Sequence, residues 1–444
     1  MNEQRTVGIK EVPRFDRWLI LSIQHLFAMF GATILVPTIV EISPAVALVS
    51  SGLGTLAYLI VTRGQIPAYL GSSFAFINPM IAAITIGGIE GMLVGSFVAG
   101  LVYGVVALVI KAGGVRWLMN LLPPIVVGPV IMVIGLGLAP VALEMAMYLP
   151  ETIGTPEPIW DGTLFTIALL TLLITVVGAI FFRGFFGLIP ILIGIVGGYI
   201  ISLFFGMIDT SPIRDAAWFA VPEFYIPFVT FTPSFSWAII AIMVPVAVVT
   251  LSEHIGDQMV LSKVVGKNFV EKPGLHRSIF GDGVATIISS FLGGPPNTTY
   301  GENIGVVAIT RVFSVFVIGG AAVIAIAFGF IGKVSAIIQT IPSAVMGGVS
   351  ILLFGIIASS GLRMLIDNKI NIGEKRNLII SSVILVLGIG GGVIHITDEI
   401  EIPGMALAAI VGIILNLVIP GRPHIKKSEE MFQSLNVKMD KEKQ

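Results

Sequence analysis

The chain has 444 residues, of which 55% are hydrophobic and only 11% are charged, and its mean hydropathy is +1.00. Because a soluble domain carries about 25% charged residues, this composition excludes an ordinary soluble protein and favours a chain surrounded by lipid. There is no cysteine, which excludes disulfides, thiolate nucleophiles and cysteine-ligated metals. The net charge of −1 does not identify a partner, and we expect lipid contacts and no nucleic acid.

Hydrophobic runs of roughly 17–25 residues predict fourteen membrane spans. The first 17 residues are polar and contain no apolar run before a cleavage site, so we expect no removable signal peptide. Polar residues, Gly and Pro interrupt the third and tenth spans, and 115–122 is a candidate short interfacial helix. The spans are placed near 17–40, 44–62, 66–88, 91–111, 123–143, 163–182, 184–207, 237–259, 277–293, 295–310, 312–332, 340–360, 377–396 and 403–420.

The basic residues alternate with these spans. With the N-terminus inside, every Lys and Arg except Arg214 and Lys333 falls in an inner segment. The outer segments carry acids instead, among them Glu41, Glu144 and Asp209. A wrong span count would scramble this alternation, so the positive-inside rule predicts fourteen spans with both termini cytoplasmic.

The two halves of the chain echo each other. The run LPPIVVGPV at 122–130 resembles IPSAVMGGV at 341–349, about half the chain further on, and 195–197 repeats at 410–412. A shift of seven spans inverts the topology because seven is odd, and inverted repeats are typical of secondary transporters. The sequence therefore predicts two inverted repeats of seven spans.

The interrupted third and tenth spans correspond in this repeat. They contain GSSFAFINP at 71–79 and PPNTTYGENIG at 295–305. Ser, Thr, Tyr and Phe at this density favour extended backbone, which needs hydrogen-bond partners at membrane depth. We expect two short extended pieces that pair near the midplane, followed by helices whose first N–H groups point at one place. A planar solute with carbonyl oxygens suits those donors.

Several ionisable residues fall within spans, where such groups are costly and usually functional. Glu253 and Asp257 lie four residues apart and share a helix face, and two carboxylates so close, out of water, tend not to ionise together. We therefore predict a proton-binding element there. The alternative interpretation is that Asp257 and Asp282 lie at helix ends and are solvated. The full set is Glu253, Asp257, Asp282, Glu302, His25 and His254.

Motifs for other chemistries are missing from the sequence. There is no Walker A motif, so ATP is not the expected energy source, and no HExxH metal site or GxSxG nucleophile elbow occurs. Transport would then use an ion gradient or the gradient of the solute itself.

Four motifs resemble those of one family. QHLFAMFGAT at 24–33 resembles the first-span signature of the nucleobase–ascorbate transporter family, and NTTYGENIG at 297–305, closing on 310–311, resembles its signature motif. GSSFAF at 71–76 and SEHIG at 252–256 match its uracil-transporting members. Purine-transporting members usually have Gln where this chain has Glu302, which favours a pyrimidine.

The resemblance implies an all-α polytopic membrane protein with 14 transmembrane segments in two inverted repeats, with short antiparallel strands in segments 3 and 10. It implies a core domain at 1–112 and 236–332, a gate domain at 113–235 and 333–421, and a cytoplasmic tail at 422–444. It further implies a homodimer in the bacterial cytoplasmic membrane.

The resemblance also implies the activity, which is uracil import by proton symport with an elevator-type movement of core against gate. No cofactor and no metal site are implied, and the coupling ion is H⁺. Glu253 and Glu302 would accept hydrogen bonds from the uracil ring N–H groups, and the backbone N–H groups of Phe74 and Gly301 would donate to its carbonyls.

The remaining implied site residues surround these four. Tyr300 and Ala75 would line the substrate site, and His25 would line or support it. Proton coupling would involve Glu253, Asp257 and His25, although a relative has histidine where this chain has Asp257. Phe354 likewise replaces a tyrosine that some relatives have on the gate side.

Other functions stay open on sequence alone. A xanthine, uric acid or anion carrier of the same architecture is the nearest alternative. An intramembrane enzyme that uses Glu253 and Asp257 as an acid–base pair is the second alternative. A channel is the third. Independently of the function, His25 could be a core histidine whose hydrogen bonds a neighbour satisfies.

Overall fold

A computed structural model describes residues 6–149, 159–395 and 401–421, so the predicted tail at 422–444 lies outside the described residues. Most of the described chain is helical, and seven of its helices have the length and apolar composition needed to cross a membrane. Three shorter apolar helices accompany them: Pro190–Phe204, Val315–Gly329 and Gly404–Val418.

The helices of the first half are α1 Phe15–Ile39, α2 Pro44–Val61, α3 Ile77–Gly113, α4 Arg116–Leu121, α5 Pro124–Gly137, α6 Ala139–Met147, α7 Gly162–Phe181, α8 Pro190–Phe204 and α9 Ser211–Asp215. Those of the second half are α10 Trp237–Met243, α11 Val246–Val265, α12 Leu275–Leu292, α13 Gly301–Thr310, α14 Val315–Gly329, α15 Gly332–Gln339, α16 Ser343–Asp367, α17 Lys375–Ile389 and α18 Gly404–Val418. The strands are β1 Leu70–Ser72, β2 Asn297–Thr299, β3 Ile394–His395 and β4 Glu401–Ile402.

The helices follow the predicted spans closely. Each predicted span overlaps a helix or, for the third and tenth, a strand followed by a helix. The short helix predicted at 115–122 forms as α4. The number of membrane crossings and the side on which each terminus lies stay predictions.

The boundary predicted between spans three and four lies inside one continuous element. α3 runs through both spans, but its backbone leaves the helical conformation at Gly87 and Gly88. Gly88 has a φ of +67°, which L side chains rarely adopt, and a Cβ there would meet no atom within 4 Å. The backbone conformation, and not crowding, therefore explains glycine at this break.

The echo between the halves reappears in the helix starts. Pro123 precedes α5 and Pro342 precedes α16, each as an extended N-cap residue. The two helices pack closely, because a Cβ on Gly361 would meet the Gly128 carbonyl oxygen. Equivalent positions in the two halves therefore begin helices that face each other.

The helices pack mainly in two groups. The first contains α1, α2, α3, α12 and α14. The second contains α5, α6, α7, α8, α16, α17 and α18. α11 contacts members of both groups, including α3 and α5. This grouping follows the proposed core and gate, a division that stays a prediction.

Candidate substrate-binding site

The two predicted extended segments pair as an antiparallel two-stranded sheet, which confirms that expectation. β1 aligns with β2 so that Leu70 lies opposite Thr299 and Ser72 opposite Asn297, and all six strand residues are buried. Because buried backbone groups need partners, this pairing explains how non-helical chain is tolerated in the interior.

Threonine side chains tie each strand to a neighbouring helix. The Thr55 hydroxyl of α2 donates to the Leu70 carbonyl at 3.1 Å and accepts from the Leu70 N–H at 2.9 Å. On the other strand, the Thr286 hydroxyl of α12 donates to the Asn297 carbonyl at 2.9 Å. The sheet is thus fixed to α2 and α12.

A helical segment begins directly after each strand. A single 3₁₀ turn, Phe74–Phe76, leads from β1 into α3, and α13 begins at Gly301 behind β2. The first N–H groups of a helix have no partner within it and carry a partial positive charge. The backbone at Phe74 and Gly301 therefore lies where such donors are available, as the sequence predicts.

Residues of the third and tenth spans, of α11 and of α16 surround one cavity of about 350 Å³, near the lower end of the roughly 300–1,000 Å³ of ligand sites. Six of the predicted site residues line it. Its complete lining is Phe74, Ile131, Glu253, Gly256, Asp257, Met259, Val260, Lys263, Val264, Thr298, Thr299, Tyr300, Gly301, Glu302, Ile304, Gly305, Ala308, Ile356, Ile357, Ser360, Arg363, Met364, Asp367 and Asn368. Asp257 is one of the six, so the alternative that Asp257 is merely solvated at a helix end is not favoured.

Four carboxyl residues line this cavity: Glu253 and Asp257 of α11, Glu302 of α13 and Asp367 of α16. The Glu253 Oε2 atom is buried and has no hydrogen-bond partner among the described atoms. Asp257 Oδ2 accepts a hydrogen bond from the Thr299 hydroxyl at 3.0 Å, which joins α11 to β2. Glu302 lies in the first turn of α13. An acceptor without a partner in a cavity is a place where a donor on a solute can bind.

Tyr300 is held against the sheet. Its backbone N–H donates to the Tyr69 carbonyl at 3.1 Å, and its hydroxyl donates to the Ser72 carbonyl at 3.1 Å. A Cβ on Gly71 would lie 2.5 Å from the Tyr300 ring, so glycine at this point of β1 makes room for the ring. Tyr300 therefore lines the cavity with its hydroxyl already engaged.

Two predicted site residues do not line the cavity. Ala75 is fully buried beside Phe74. His25 is also fully buried, and its Nδ1 lies 2.7 Å from Asn303 Oδ1. That contact ties α1 to α13 behind Glu302, which fits support of the site. The roles of both residues stay predictions.

A second polar group lies behind the cavity. His254 Nε2 is 2.6 Å from the Ser278 hydroxyl, and His254 Nδ1 is 3.3 Å from Thr299 and 3.5 Å from Asp282 Oδ2. Asp282 is only 2% exposed. The interpretation that Asp282 is solvated at a helix end is therefore wrong, because α12 packs against α2 and α3 around it.

Sequence reasoning missed the cavity wall opposite the carboxylates. Ile131 of α5 and Ile356 and Ile357 of α16 form its apolar part, and polar residues further along α16 complete it. Phe354 packs edge-on against Phe74 at 5.8 Å between ring centroids. Isoleucines in an apolar span carry no local signal that separates a cavity wall from lipid contact. The repeat echo that marks the starts of α5 and α16, and the gate-side position of Phe354 in relatives, pointed towards these helices but not to the isoleucines.

Metal binding finds no support in this region. Across the three described ranges, no group of three or more His, Cys, Asp and Glu side chains is arranged to hold a metal ion.

We expect Thr299→Val to lower the stability of the protein. The substitution leaves Asp257 Oδ2 without its donor in the interior, which costs about 1–3 kcal/mol. Thermal unfolding in detergent, followed by tryptophan fluorescence, measures the change. Thr166→Val is the matched control, because the exposed Thr166 hydroxyl only donates to Gly162 within α7. Equal unfolding midpoints for the two variants would contradict a supporting role for Thr299.

Comparison with known proteins adds relatives along almost the whole chain. A family model described as "Permease family" matches residues 16–397. The chain is 64% identical to a uracil permease of Bacillus subtilis, with 93% of this chain and 95% of that protein covered. It is 60% identical to a uracil permease of Bacillus caldolyticus (96% and 97% covered) and 48% identical to one of Escherichia coli K12 (94% of each).

Solved structures share the fold at low sequence identity. The transmembrane domain of a cyanobacterial bicarbonate transporter, BicA, superposes with a TM-score of 0.61 at 16% identity, covering 91% of this chain and 98% of that one. The murine Solute Carrier 26 family member A9 anion transporter, in its inward-facing state, gives 0.66 at 12% identity, with 91% and 68% covered. At these identities the likeness concerns the fold alone.

Proposed function

This chain belongs to the nucleobase–ascorbate transporter family of permeases, so it is a multi-pass membrane transporter and not an enzyme, and from that premise we propose that it imports uracil by proton symport. The observation that carries the substrate is the single cavity that Glu253 and Glu302 line together with the helix starts at Phe74 and Gly301. Relatives named uracil permeases at 48–64% identity support the same solute.

The proposed binding mode matches each polar edge of uracil to a group of the opposite kind. Uracil offers two N–H donors and two carbonyl acceptors in one plane. The carboxylates of Glu253 and Glu302 supply acceptors, and the backbone N–H groups at Phe74 and Gly301 supply donors. Each unmatched buried polar group costs about 1–3 kcal/mol, so this arrangement discriminates against cytosine, whose amino group would face a donor. It discriminates less against thymine, because one methyl is worth about 1–3 kcal/mol.

We assign the proton to the carboxyl groups on α11. Glu253 and Asp257 are one helical turn apart and both line the cavity. Glu253 Oε2 lacks a partner, whereas Asp257 is held by Thr299. In this proposal Glu253 takes a proton from the outer side before uracil binds, so that proton and solute move together. Asp257 replaces the histidine of a relative in this role, and His25 acts through Asn303.

The proposed movement is of elevator type. The cavity lies between α11 and α13 on one side and α5 and α16 on the other. A Cβ on Gly256 of α11 would lie 2.5 Å from Met364 of α16, so the two sides approach closely. The side towards α5 and α16 combines the apolar Ile131, Ile356 and Ile357 with polar residues further along α16, among them Arg363 and Asp367. Its apolar part can slide without breaking hydrogen bonds. We propose a homodimer in the bacterial cytoplasmic membrane with both termini in the cytoplasm.

Proteoliposomes test the transport proposal. We expect purified protein to accumulate labelled uracil under an inward proton gradient and to stop accumulating it when a protonophore is added. Excess unlabelled uracil should compete, whereas xanthine, uric acid and bicarbonate should not. Uptake that ignores the protonophore would refute proton coupling. Competition by xanthine or an anion, without competition by uracil, would instead identify a carrier of that solute.

A further inference from the structure

A second, larger cavity shares no lining residue with the substrate site and lies at the end of the helices that the basic residues predict to be cytoplasmic. It has a volume of about 1330 Å³ and opens to the surroundings of the protein between the start of α1, the end of α2 and the start of α14. Its wall is mostly apolar, with Phe15 and Ile60 respectively 75% and 77% exposed. Apolar side chains this open at the rim of a membrane protein face lipid.

Two cations border this second cavity, which we call the groove. Lys10 precedes α1, and Arg63 follows α2. Neither forms an ion pair with a residue of the described ranges. The nearby Asp16 lies 3.6 Å from Arg14, and Glu11 accepts a hydrogen bond from the Gly8 N–H at 3.0 Å. The acids of this region therefore have partners of their own, while Lys10 and Arg63 face the groove.

The groove is a built feature of the fold. The segment before α1 pairs with the segment before α14, since the Val7 N–H donates to Arg311 and the Val315 N–H donates to Ile9. Trp18 Nε1 donates to the Phe316 carbonyl at 2.8 Å. These bonds hold Lys10 beside the N-terminus of the fifteen-residue α14, whose partial positive charge adds to that of the two cations.

We propose that this groove binds one anionic phospholipid of the cytoplasmic leaflet, with its phosphate at Lys10 and Arg63 and an acyl chain along α2 and α14. Basic pockets between transmembrane helices select anionic headgroups, and the apolar wall below them suits a chain better than a soluble anion. The site is separate from the proposed transport of uracil and does not depend on it.

Gly319 supplies a way to fill the groove without changing its charge. It lies on α14 and lines the cavity, and a Cβ there would meet Leu59 at 3.6 Å and Leu56 at 3.9 Å, which are ordinary contacts. A leucine at this position would therefore occupy the space proposed for the acyl chain. Gly320 next to it is unsuitable, because a Cβ there would collide with Trp18 and Ser22.

Native mass spectrometry of the delipidated full chain tests the proposal with phosphatidylglycerol as the probe. We expect one tightly bound phosphatidylglycerol, weakened about tenfold both in Lys10→Gln/Arg63→Gln and in Gly319→Leu. The control Lys111→Gln/Arg116→Gln, which removes two exposed cations outside the groove, should bind as the unmodified protein does. Phosphatidylethanolamine and glycerol 3-phosphate should not displace the lipid.

Two results would overturn the proposal. One is equal phosphatidylglycerol affinity in the unmodified protein and both groove variants. The other is displacement by phosphatidylethanolamine, which means no charge selection, or by glycerol 3-phosphate, which means an anion site without a lipid chain. Unchanged thermal unfolding of the variants ensures that a loss reflects the groove and not misfolding.

Discussion

Glu302→Ala is expected to abolish uracil binding. The carboxylate lies in the first turn of α13 and lines the cavity. Losing it removes a hydrogen bond to a charged acceptor, worth about 1.5–3 kcal/mol, and leaves a ring N–H unmatched at a further cost of about 1–3 kcal/mol. Together these effects weaken binding by at least about 100-fold. Isothermal titration of purified protein with uracil measures the change.

Two further variants sharpen this result. Glu302→Gln keeps one acceptor oxygen but turns an N–H donor towards the solute, so we expect binding between that of the unmodified protein and that of Glu302→Ala. Glu144→Ala removes an exposed carboxylate of α6 outside the cavity and should bind uracil normally. If Glu302→Ala retains the affinity of Glu144→Ala, the proposed site is wrong.

Glu253→Gln is expected to separate uracil movement from the proton gradient. The amide has nearly the shape of the carboxyl group and keeps one acceptor oxygen, but it does not take up a proton. We expect the accumulation of uracil that the proton gradient drives to fall by about 100-fold. At about 1.4 kcal/mol for each factor of ten, this corresponds to about 2.8 kcal/mol. Exchange of labelled for unlabelled uracil across the liposome membrane should continue at a reduced rate.

The comparison of the two assays is what makes this prediction specific. Loss of both accumulation and exchange would assign Glu253 to binding alone, and retention of both would remove it from the mechanism. Ser252→Ala is the matched control, since the Ser252 hydroxyl only donates to Val248 within α11 at 2.8 Å. It should accumulate uracil as the unmodified protein does.

Much of the fold follows from the sequence because lipid imposes simple rules. Spanning segments must be apolar and long enough to cross, so the runs around α1, α2, α7 and α16 are visible without a structure. The interrupted third and tenth spans are equally visible, because Gly71 to Pro79 and Pro295 to Gly305 put polar residues where lipid-facing helices have none. Their extended pieces do pair, and Glu253, Glu302 and Gly301 do meet at one cavity.

Tertiary structure alone decided how these pieces combine. Whether Asp282 meets water or His254 depends on which helices cover it, and spacing within α12 carries no information about that cover. The isoleucines of α5 and α16 form the far wall of the cavity, although they look like any lipid-facing residue. Lys10 and Arg63 border one groove because the segment before α1 pairs with the segment before α14. The sequence determined which polar residues avoid lipid, since the cost of desolvation acts on each of them separately. Only the packing of distant segments determined which residues face each other.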